Sequence, residues 1–196
     1  MTTMTLPVAS LDQIFGNARS NHRYQPRAVG EETVRELYEL TKLAPTGFNS
    51  QPARYVFIRS AEARERLGAV LSSSNRDKAL AAPLNAIVAW DSAFPERLPQ
   101  IHPGRDLSGF FTDPAKRESA GVFNTALQAG FLIVAARSLG LDVGPMTGFD
   151  AAALDRAFFP DGRYRSLLVL NLGYGDRSQI SERGVRLSFE DAVQVL

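Results

Sequence analysis

The sequence predicts one domain in which a few buried strands are combined with helices. Three short runs, at 54–59, 84–90 and 167–172, have the apolar, β-branched and aromatic composition of strands. The longest helical segment, 113–139, is apolar on all sides in its middle part, and such a helix must be covered by protein on every side. The 196 residues contain no internal repeat, low-complexity segment or linker, so we predict a single domain over 1–196.

Helix caps, helix breakers and apolar periods set the elements of the N-terminal half. Ser60, for example, precedes a helical pattern whose first turn carries Glu62, and an acidic side chain is stabilising there. The predicted elements are, in order, a short helix capped by Ser10, a helix from Glu31 to Pro45, a strand at 54–59, helices at 61–71 and 75–81, and a strand at 84–90.

The second half begins with a segment, 91–112, that has no clear period. A stretch of that length in a compact domain is usually functional or disordered, and we predict a long loop or lid. Asp113 and Pro114 then form a cap and first turn, and the long helix stops at Gly140. The remaining predicted elements are a tight loop at 144–148, a helix at 149–158, the third strand at 167–172 and a helix at 189–195 preceded by Ser188.

Composition excludes several classes of function. The net charge of +1 gives no reason to expect a nucleic-acid partner. The absence of cysteine excludes disulfides, thiolate nucleophiles and cysteine-ligated metals, so a redox enzyme of this sequence would need an organic cofactor. The two histidines, His22 and His102, are too few and too distant in sequence for a metal site of the HExxH type. The first ten residues lack the features of a signal peptide, and we expect a cytoplasmic protein without a membrane partner.

One connection between a helix and a strand carries the most chemical information. Residues 44–52 read Ala-Pro-Thr-Gly-Phe-Asn-Ser-Gln-Pro, and the prolines and glycine prevent regular structure and leave backbone amides available. A simple polar loop would account for such a composition. The pattern also resembles the Ala-Pro-Ser-x-x-Asn-x-Gln-Pro segment of the FMN-dependent nitroreductase family. That resemblance implies that Pro45, Thr46, Asn49 and Gln51 lie against the flavin bound mainly by the other subunit.

A second segment resembles the N-terminal motif of the same family. The run Arg-Ser-Asn-His-Arg-Tyr, which begins at residue 19, is similar to the family's Arg-x-Ser-x-Arg/Lys-x-aromatic pattern. FMN ends in a phosphate dianion, which arginine holds best through charge-assisted hydrogen bonds. The preferred register keeps both cations and assigns Arg19, Asn21 and Arg23 to the cofactor, whereas the alternative register uses Ser20 and His22.

A third segment is implied to reach the flavin ring. Asn75 and Lys78 are three residues apart on a predicted helix, so both side chains can face one target. In the family an Asn-x-x-Lys pair reaches the pyrimidine edge of the ring. A lysine at that edge stabilises the negative charge of the reduced flavin and raises its reduction potential. A solvated surface lysine is the simpler explanation of Lys78 taken alone.

Two segments in the last third of the chain complete the resemblance. Residues 140–150 are similar to the family's Gly-Leu-Gly-x-x-x-Pro-x-x-Gly-Phe-Asp run, which implies that Pro145, Thr147 and Gly148 lie near flavin N5. Basic residues that follow a Leu-Gly-Tyr run bind the flavin phosphate in the family, which implies Arg186 first and Arg183 second. We reject the glycine-containing run that follows the third strand as a dinucleotide fingerprint, because the chain ends before a βαβ unit could close.

The five segments together imply an α+β, nitroreductase-like fold in three layers. Its sheet would be mixed and mostly antiparallel, flanked by helices, and two copies would form an intertwined homodimer. The implied activity is that of an FMN-dependent NAD(P)H oxidoreductase. NADH or NADPH would give a hydride to flavin N5 and leave, and a small-molecule acceptor would then take two electrons from the same face. The flavin rather than a catalytic side chain or a metal would carry the chemistry.

The identity of the electron acceptor is the most specific of these expectations. Runs at 86–91, 140–150 and 173–176 resemble the subgroup that contains the malonic semialdehyde reductases of pyrimidine degradation, which form 3-hydroxypropionate. Such a substrate carries a carboxylate, and the hypothesis is that Arg97 or Arg105 binds this group. The alternatives are a general nitroreductase or quinone reductase, and a flavin-binding protein without turnover.

Overall fold

One antiparallel sheet with helices on both faces forms the centre of the computed structural model, which describes residues 5–196. The strands are β1 (Ala53–Ile58), β2 (Leu84–Asp91), β3 (Asp142–Met146) and β4 (Tyr164–Gly173). The helices are α1 (Val8–Leu11), α2 (Glu31–Thr41), α3 (Ala61–Gly68), α4 (Ser73–Ala81), α5 (Leu98–Ile101), α6 (Pro114–Ser138), α7 (Ala151–Phe158) and α8 (Phe189–Ala192). The strand order is β1-β2-β4-β3, and every neighbouring pair is antiparallel.

Strand β2 divides the hydrophobic core, because its successive side chains point to opposite faces of the sheet. Ala86 and Val88 pack in a cluster with side chains from α2 and α6. Ile87 and Ala89 pack in a second cluster with side chains from α3, α4 and α7. The predicted α+β class and the three layers are therefore confirmed, as are the three predicted strands.

The fourth strand, β3, was not predicted. Residues 144–148 were expected to form a tight loop, but Asp142–Met146 pairs in register with β4. A glycine and a proline conceal the strand signal in the sequence. Pro145 is tolerated because β3 lies at the edge of the sheet, where a missing N–H group breaks no ladder between two neighbours.

The segment 91–112 is more regular than the predicted loop. It contains α5 between two short 3-10 helices, Phe94–Arg97 and Ser108–Phe111. Phe94, Leu98, Leu107 and Phe111 form a small hydrophobic cluster of their own. The apolar residues in this segment therefore stabilise it locally, and their irregular spacing reflects several short turns instead of one helix or strand.

Several element boundaries differ from the predictions. Pro7 precedes α1, so Ser10 lies inside that helix and does not cap it, and a π-helical turn, Asp12–Gly16, follows. Asp150 caps α7 and accepts a hydrogen bond from the backbone N–H group of Ala153, so that helix starts later than expected. Helices α3 and α8 both end before the predicted residues.

Helix α6 is the centre of the molecule and also one of its surfaces. Asp113 accepts hydrogen bonds from two backbone N–H groups in its first turn, as predicted. Among the described residues it is the one helix whose length and composition would permit a membrane span, and 44% of its most apolar window is buried inside this chain. Phe123, Leu127, Phe131 and Val134 form an exposed stripe at helical spacing, which we call the α6 stripe. Packing within one chain therefore leaves one face of the helix uncovered.

Candidate cofactor site

A strongly basic cavity lies beside the C-terminal end of α6. Its volume is about 260 Å³. Four arginines line it together with a single carboxylate, that of Glu182. The arginines of this cavity, which we call the arginine cavity, are Arg19, Arg137, Arg183 and Arg186. The structure thus brings together three arginines that the sequence predicted from opposite ends of the chain.

Backbone carbonyl groups hold two of these arginines in place. Arg19 donates to the oxygen of Gly16 at 3.1 Å, and Arg183 donates to the oxygens of Phe15 at 2.7 Å and Gly16 at 2.9 Å. These oxygens lie at the C-terminal end of the π-helical turn Asp12–Gly16, where unpaired carbonyl groups attract cations. The guanidinium groups are therefore oriented by the fold itself and present a preorganised anion site.

Two of the four arginines also carry a buried donor without a partner. The Nε atoms of Arg19 and Arg137 are buried and have no hydrogen-bond partner among the described residues. Burial lowers the pKa of Arg137, Asp142 partly opposes this effect, and the charge of Arg183 lowers the pKa further. A bound anion would relieve the repulsion between the cations.

Sequence analysis did not identify Arg137. Between residues 121 and 139 the chain has no other charged side chain. A charge inside an apolar helix is unfavourable unless it has a partner. This isolation in the sequence was the signal that could have found it.

A second group of predicted residues surrounds Gly148. The side-chain amide of Asn75 donates to the oxygen of Gly148 at 3.2 Å, and the backbone N–H of Ser72 donates to the same oxygen at 3.0 Å. A Cβ atom on Gly148 would lie 2.6 Å from the Asn75 nitrogen, so only glycine permits this approach. The ladder of β3 ends at Met146, so it does not use the amides of Thr147 and Gly148.

Lys78 lies close to His22 in this group. Burial lowers the pKa of His22, and the positive charge of Lys78 lowers it further. The His22 ring also faces Gly144, where a Cβ atom would lie 3.1 Å from the His22 Nδ1. Within residues 5–196 no group of three or more His, Cys, Asp or Glu side chains could hold a metal ion.

In the segment that begins at Arg19, the two residues of the alternative register lie nearer the candidate site than Asn21 and Arg23. Ser20 lines the arginine cavity and His22 lies beside Lys78. Asn21 is buried, and Arg23 is exposed near Asp176. Of the residues assigned in the preferred register, Arg19 thus lies at the arginine cavity, whereas Asn21 and Arg23 lie away from it.

Asn21 instead belongs to a buried polar network. Its side-chain amide donates to Asp142 at 3.3 Å, and Arg177 donates to the same carboxylate at 3.0 Å. Burial raises the pKa of Tyr24, and the charge of Asp142 raises it further. The Tyr24 hydroxyl donates to the oxygen of Asn21 at 2.8 Å. This network fixes the backbone that carries Ser20 and His22.

The predicted residues of the connection after α2 lie elsewhere on the chain. Pro45 and Asn49 are exposed, and Thr46 and Gln51 are half-buried. We call residues 46–51 the 46–51 loop. Among the described residues no hydrogen bond or ion pair joins this loop to the arginine cavity or to Gly148. The 46–51 loop is therefore a third group of predicted residues, separate within one chain from the arginine cavity and from the group around Gly148.

A larger cavity of about 1170 Å³ adjoins the 46–51 loop. Asn49 and Gln51 line it together with Arg97, whose side chain has no ion pair in the part of the chain that the structure describes. Arg105 is exposed and does not line this cavity. The structure therefore separates the two arginines proposed to read a substrate carboxylate and places only Arg97 beside the loop.

Comparison with known proteins identifies the family. The model of the nitroreductase family matches residues 17–174. The chain belongs to the nitroreductase family. The matched part of this nitroreductase includes the 46–51 loop, Lys78 and Gly148, and it ends before Arg183 and Arg186. The C-terminal half of the arginine cavity therefore lies outside the residues that the family model matches.

Individual relatives span the whole chain. A protein of Rhodopseudomonas palustris (strain TIE-1), provisionally named NADH dehydrogenase/NAD(P)H nitroreductase, is 49% identical over 193 residues, which are 98% of each chain. A nitroreductase structure from Exiguobacterium sibiricum, solved in complex with FMN, has a TM-score of 0.84 at 20% identity and covers 100% of both chains. An NAD(P)H:FMN oxidoreductase structure from Staphylococcus epidermidis has a TM-score of 0.84 at 19% identity and the same coverage. At such identities the two structures establish the fold.

Proposed function

We propose that this nitroreductase is an FMN-dependent NAD(P)H oxidoreductase. The observation that carries the proposal is the arginine cavity, which is lined by four arginines and a single carboxylate. A phosphate dianion matches that arrangement in charge, and its oxygens can accept several hydrogen bonds from guanidinium groups. The FMN complex of the E. sibiricum nitroreductase and the name of the R. palustris relative support the same cofactor and electron donor.

The spacing of the site also suits FMN. Arg19 and Ser20 line the cavity, and the same segment continues to His22 beside Lys78. Three residues of chain reach at most roughly 10 Å, which is the scale of the ribityl chain that separates phosphate from ring. We therefore assign Arg19, Arg137, Arg183 and Arg186 to the phosphate, and Asn75, Lys78 and the Thr147 and Gly148 amides to the ring. FMN when bound supplies the hydride chemistry that no side chain of this protein offers.

We propose that a second copy of the chain completes the site. The 46–51 loop lies apart from the arginine cavity within one chain, and the α6 stripe is left exposed. A two-fold dimer that buries the stripes against each other would allow each loop to meet its partner's cofactor. The proposed partners are thus a second copy and a small-molecule acceptor in the cytoplasm, with neither nucleic acid nor membrane involved.

Purification and turnover test this function. Protein isolated with its cofactor should be yellow and should release FMN rather than FAD when it is denatured. It should oxidise NADH or NADPH when a quinone, a nitroaromatic or malonic semialdehyde is supplied. Protein that binds no added FMN would overturn the proposal. FMN binding without turnover on any of these acceptors would favour the alternative, a flavin-binding protein that is not an enzyme.

We further propose that the acceptor is malonic semialdehyde, which is reduced to 3-hydroxypropionate. Arg97 supports this choice, because it is an uncommitted cation in the cavity that Asn49 and Gln51 also line. A carboxylate held by this guanidinium would keep the aldehyde next to the loop that faces the flavin. A general nitroreductase or quinone reductase is the alternative, and it would not need the cation.

Replacing Arg97 by alanine should separate these two substrates. We expect kcat/KM for malonic semialdehyde to fall by roughly 10- to 100-fold, the scale of a charge-assisted hydrogen bond. The value for an uncharged quinone should stay within about twofold. Arg105→Ala is the matched control, because this arginine lies in the same segment but outside the cavity.

Steady-state kinetics with both acceptors decides between the readings. If both acceptors lose rate together in Arg97→Ala, the segment controls access and does not recognise the carboxylate. A wild-type preference for uncharged acceptors would overturn malonic semialdehyde as the substrate.

A further inference from the structure

The 46–51 loop has an uncommon backbone conformation. Phe48, Asn49 and Gln51 have φ angles of 55°, 48° and 45°, in the left-handed region that residues with a Cβ atom rarely adopt. Such a cluster persists only where the surrounding structure determines it. Hydrogen bonds within the loop, such as that from the Gln51 N–H to the Thr46 Oγ1 at 3.2 Å, hold part of this conformation, and contacts from outside the loop add to them.

Two buried amides on α6 make these contacts. The Oδ1 of Asn124 accepts from the backbone N–H of Gly47 at 2.7 Å, where the loop begins. The Oε1 of Gln128 accepts from the backbone N–H of Ala53 at 3.0 Å, where the loop enters β1. The two side chains are one helical turn apart and share one face. Their relative exposures are only 7% and 3%, so neither amide is available to solvent.

The orientation of one amide is fixed as well. The Nδ2 of Asn124 donates to the oxygen of Ala120 at 2.8 Å, which directs its Oδ1 towards the loop. Burying an amide in an apolar helix is unfavourable unless its groups are paired. The sharp turn of the loop leaves backbone donors that need acceptors. The two requirements are met by the same pair of hydrogen bonds.

The far side of the loop is attached to the segment that holds Arg97. A ring nitrogen of His102 lies 2.5 Å from the oxygen of Phe48. The ring of Phe48 packs against Phe110 with 4.8 Å between centroids. A change in the loop backbone would therefore alter both the flavin-facing residues and the proposed substrate segment.

We propose that Asn124 and Gln128 are positioning residues for the cofactor site. They hold the 46–51 loop in its left-handed form and thereby place Thr46, Asn49 and Gln51 against the flavin of the partner subunit. This inference rests on the proposed FMN site and dimer, but the hydrogen bonds themselves can be tested without cofactor.

Four variants provide the test. Asn124→Leu and Gln128→Met keep approximate volume and remove the accepting oxygen, whereas Gln128→Glu keeps an oxygen that can accept in either protonation state. Thr125→Val is the control, because Thr125 is fully buried on the same helix and its hydroxyl has no hydrogen-bond partner among the described residues. The chosen readouts are amide hydrogen exchange of the flavin-free protein, visible circular dichroism of bound FMN, and acceptor kinetics.

We expect Asn124→Leu to accelerate exchange at Gly47, and Gln128→Met to accelerate it at Ala53, each by at least tenfold. In loaded protein both variants should change the visible circular dichroism of FMN and lower kcat/KM for the acceptor at least tenfold. Gln128→Glu should restore the wild-type spectrum, and Thr125→Val should match wild type. Should Asn124→Leu not fold, the pair of Gln128 variants gives the same comparison.

Two outcomes would overturn the inference. In the first, exchange at both amides stays at the wild-type rate. In the second, exchange accelerates while the flavin spectrum and kcat/KM remain those of wild type, so that the amides support the fold only. Wild-type protein that binds no FMN would instead overturn the proposed function, and the exchange experiment would still report on the two hydrogen bonds.

Discussion

Replacing Arg186 by alanine is expected to weaken FMN binding by about 1.5–3 kcal/mol, or roughly 10- to 150-fold in Kd, the range for losing a hydrogen bond to a charged group. Arg186 is a suitable probe because in this structure it donates only to the oxygens of Gly184 and Val185, within its own segment. Arg183 holds carbonyls from a distant helical turn, so its removal would also perturb the fold. Fluorescence titration of the flavin-free protein measures the change.

Riboflavin separates a phosphate contact from a general loss of affinity. It has the ring and the ribityl chain but no phosphate, so Arg186→Ala should leave its Kd within about twofold. Arg156→Ala serves as the control, since Arg156 is exposed in the last turn of α7, away from the arginine cavity. Equal losses for FMN and riboflavin would mean that the cavity does not bind the phosphate.

Local signals in the sequence located most of the secondary structure. The cap of α6 and the apolar composition of β2 are properties of neighbouring residues, and both were predicted from them. Strand β3 was missed because Gly144 and Pro145 are poor strand formers, and only pairing with β4 at the sheet edge determines its conformation. The segment 91–112 was misjudged for a similar reason, because its small cluster combines residues from several short turns.

The candidate site shows the same division between local and long-range information. Lys78 and Gly148 could be predicted because their spacing is part of a family pattern. The choice between Asn21 and Ser20 depends on which side chains of their segment point towards the cavity. That direction is set by the distant carboxylate of Asp142, which binds Asn21 and is invisible in the local sequence. Arg137 joins the cavity because the C-terminal end of α6 lies beside the segments that carry Arg19 and Arg183, which are far apart in the sequence.

The second large effect is expected from disrupting the proposed dimer. Phe131 lies in the α6 stripe and is 43% exposed within one chain. In a two-fold interface a Phe131→Glu substitution would place two carboxylates near each other and remove them from water. An unpaired buried charge costs about 3–5 kcal/mol and the interface would contain two, so the dimer dissociation constant should rise by at least roughly 100-fold. We expect sedimentation velocity to show monomers that have lost their FMN.

Loss of FMN should accompany dissociation, because in the proposed dimer the 46–51 loop contacts only the cofactor that the partner subunit holds. Circular dichroism should show that the flavin-free monomer keeps its secondary structure, since Phe131 is outside the hydrophobic core of the chain. Ala152→Glu adds the same charge on an exposed position of α7 and should leave both assembly and FMN content unchanged. A Phe131→Glu protein that remains dimeric would place the interface away from the α6 stripe. A monomer that retains FMN with wild-type affinity would show that each chain binds its cofactor alone, and the loop would then need a different role.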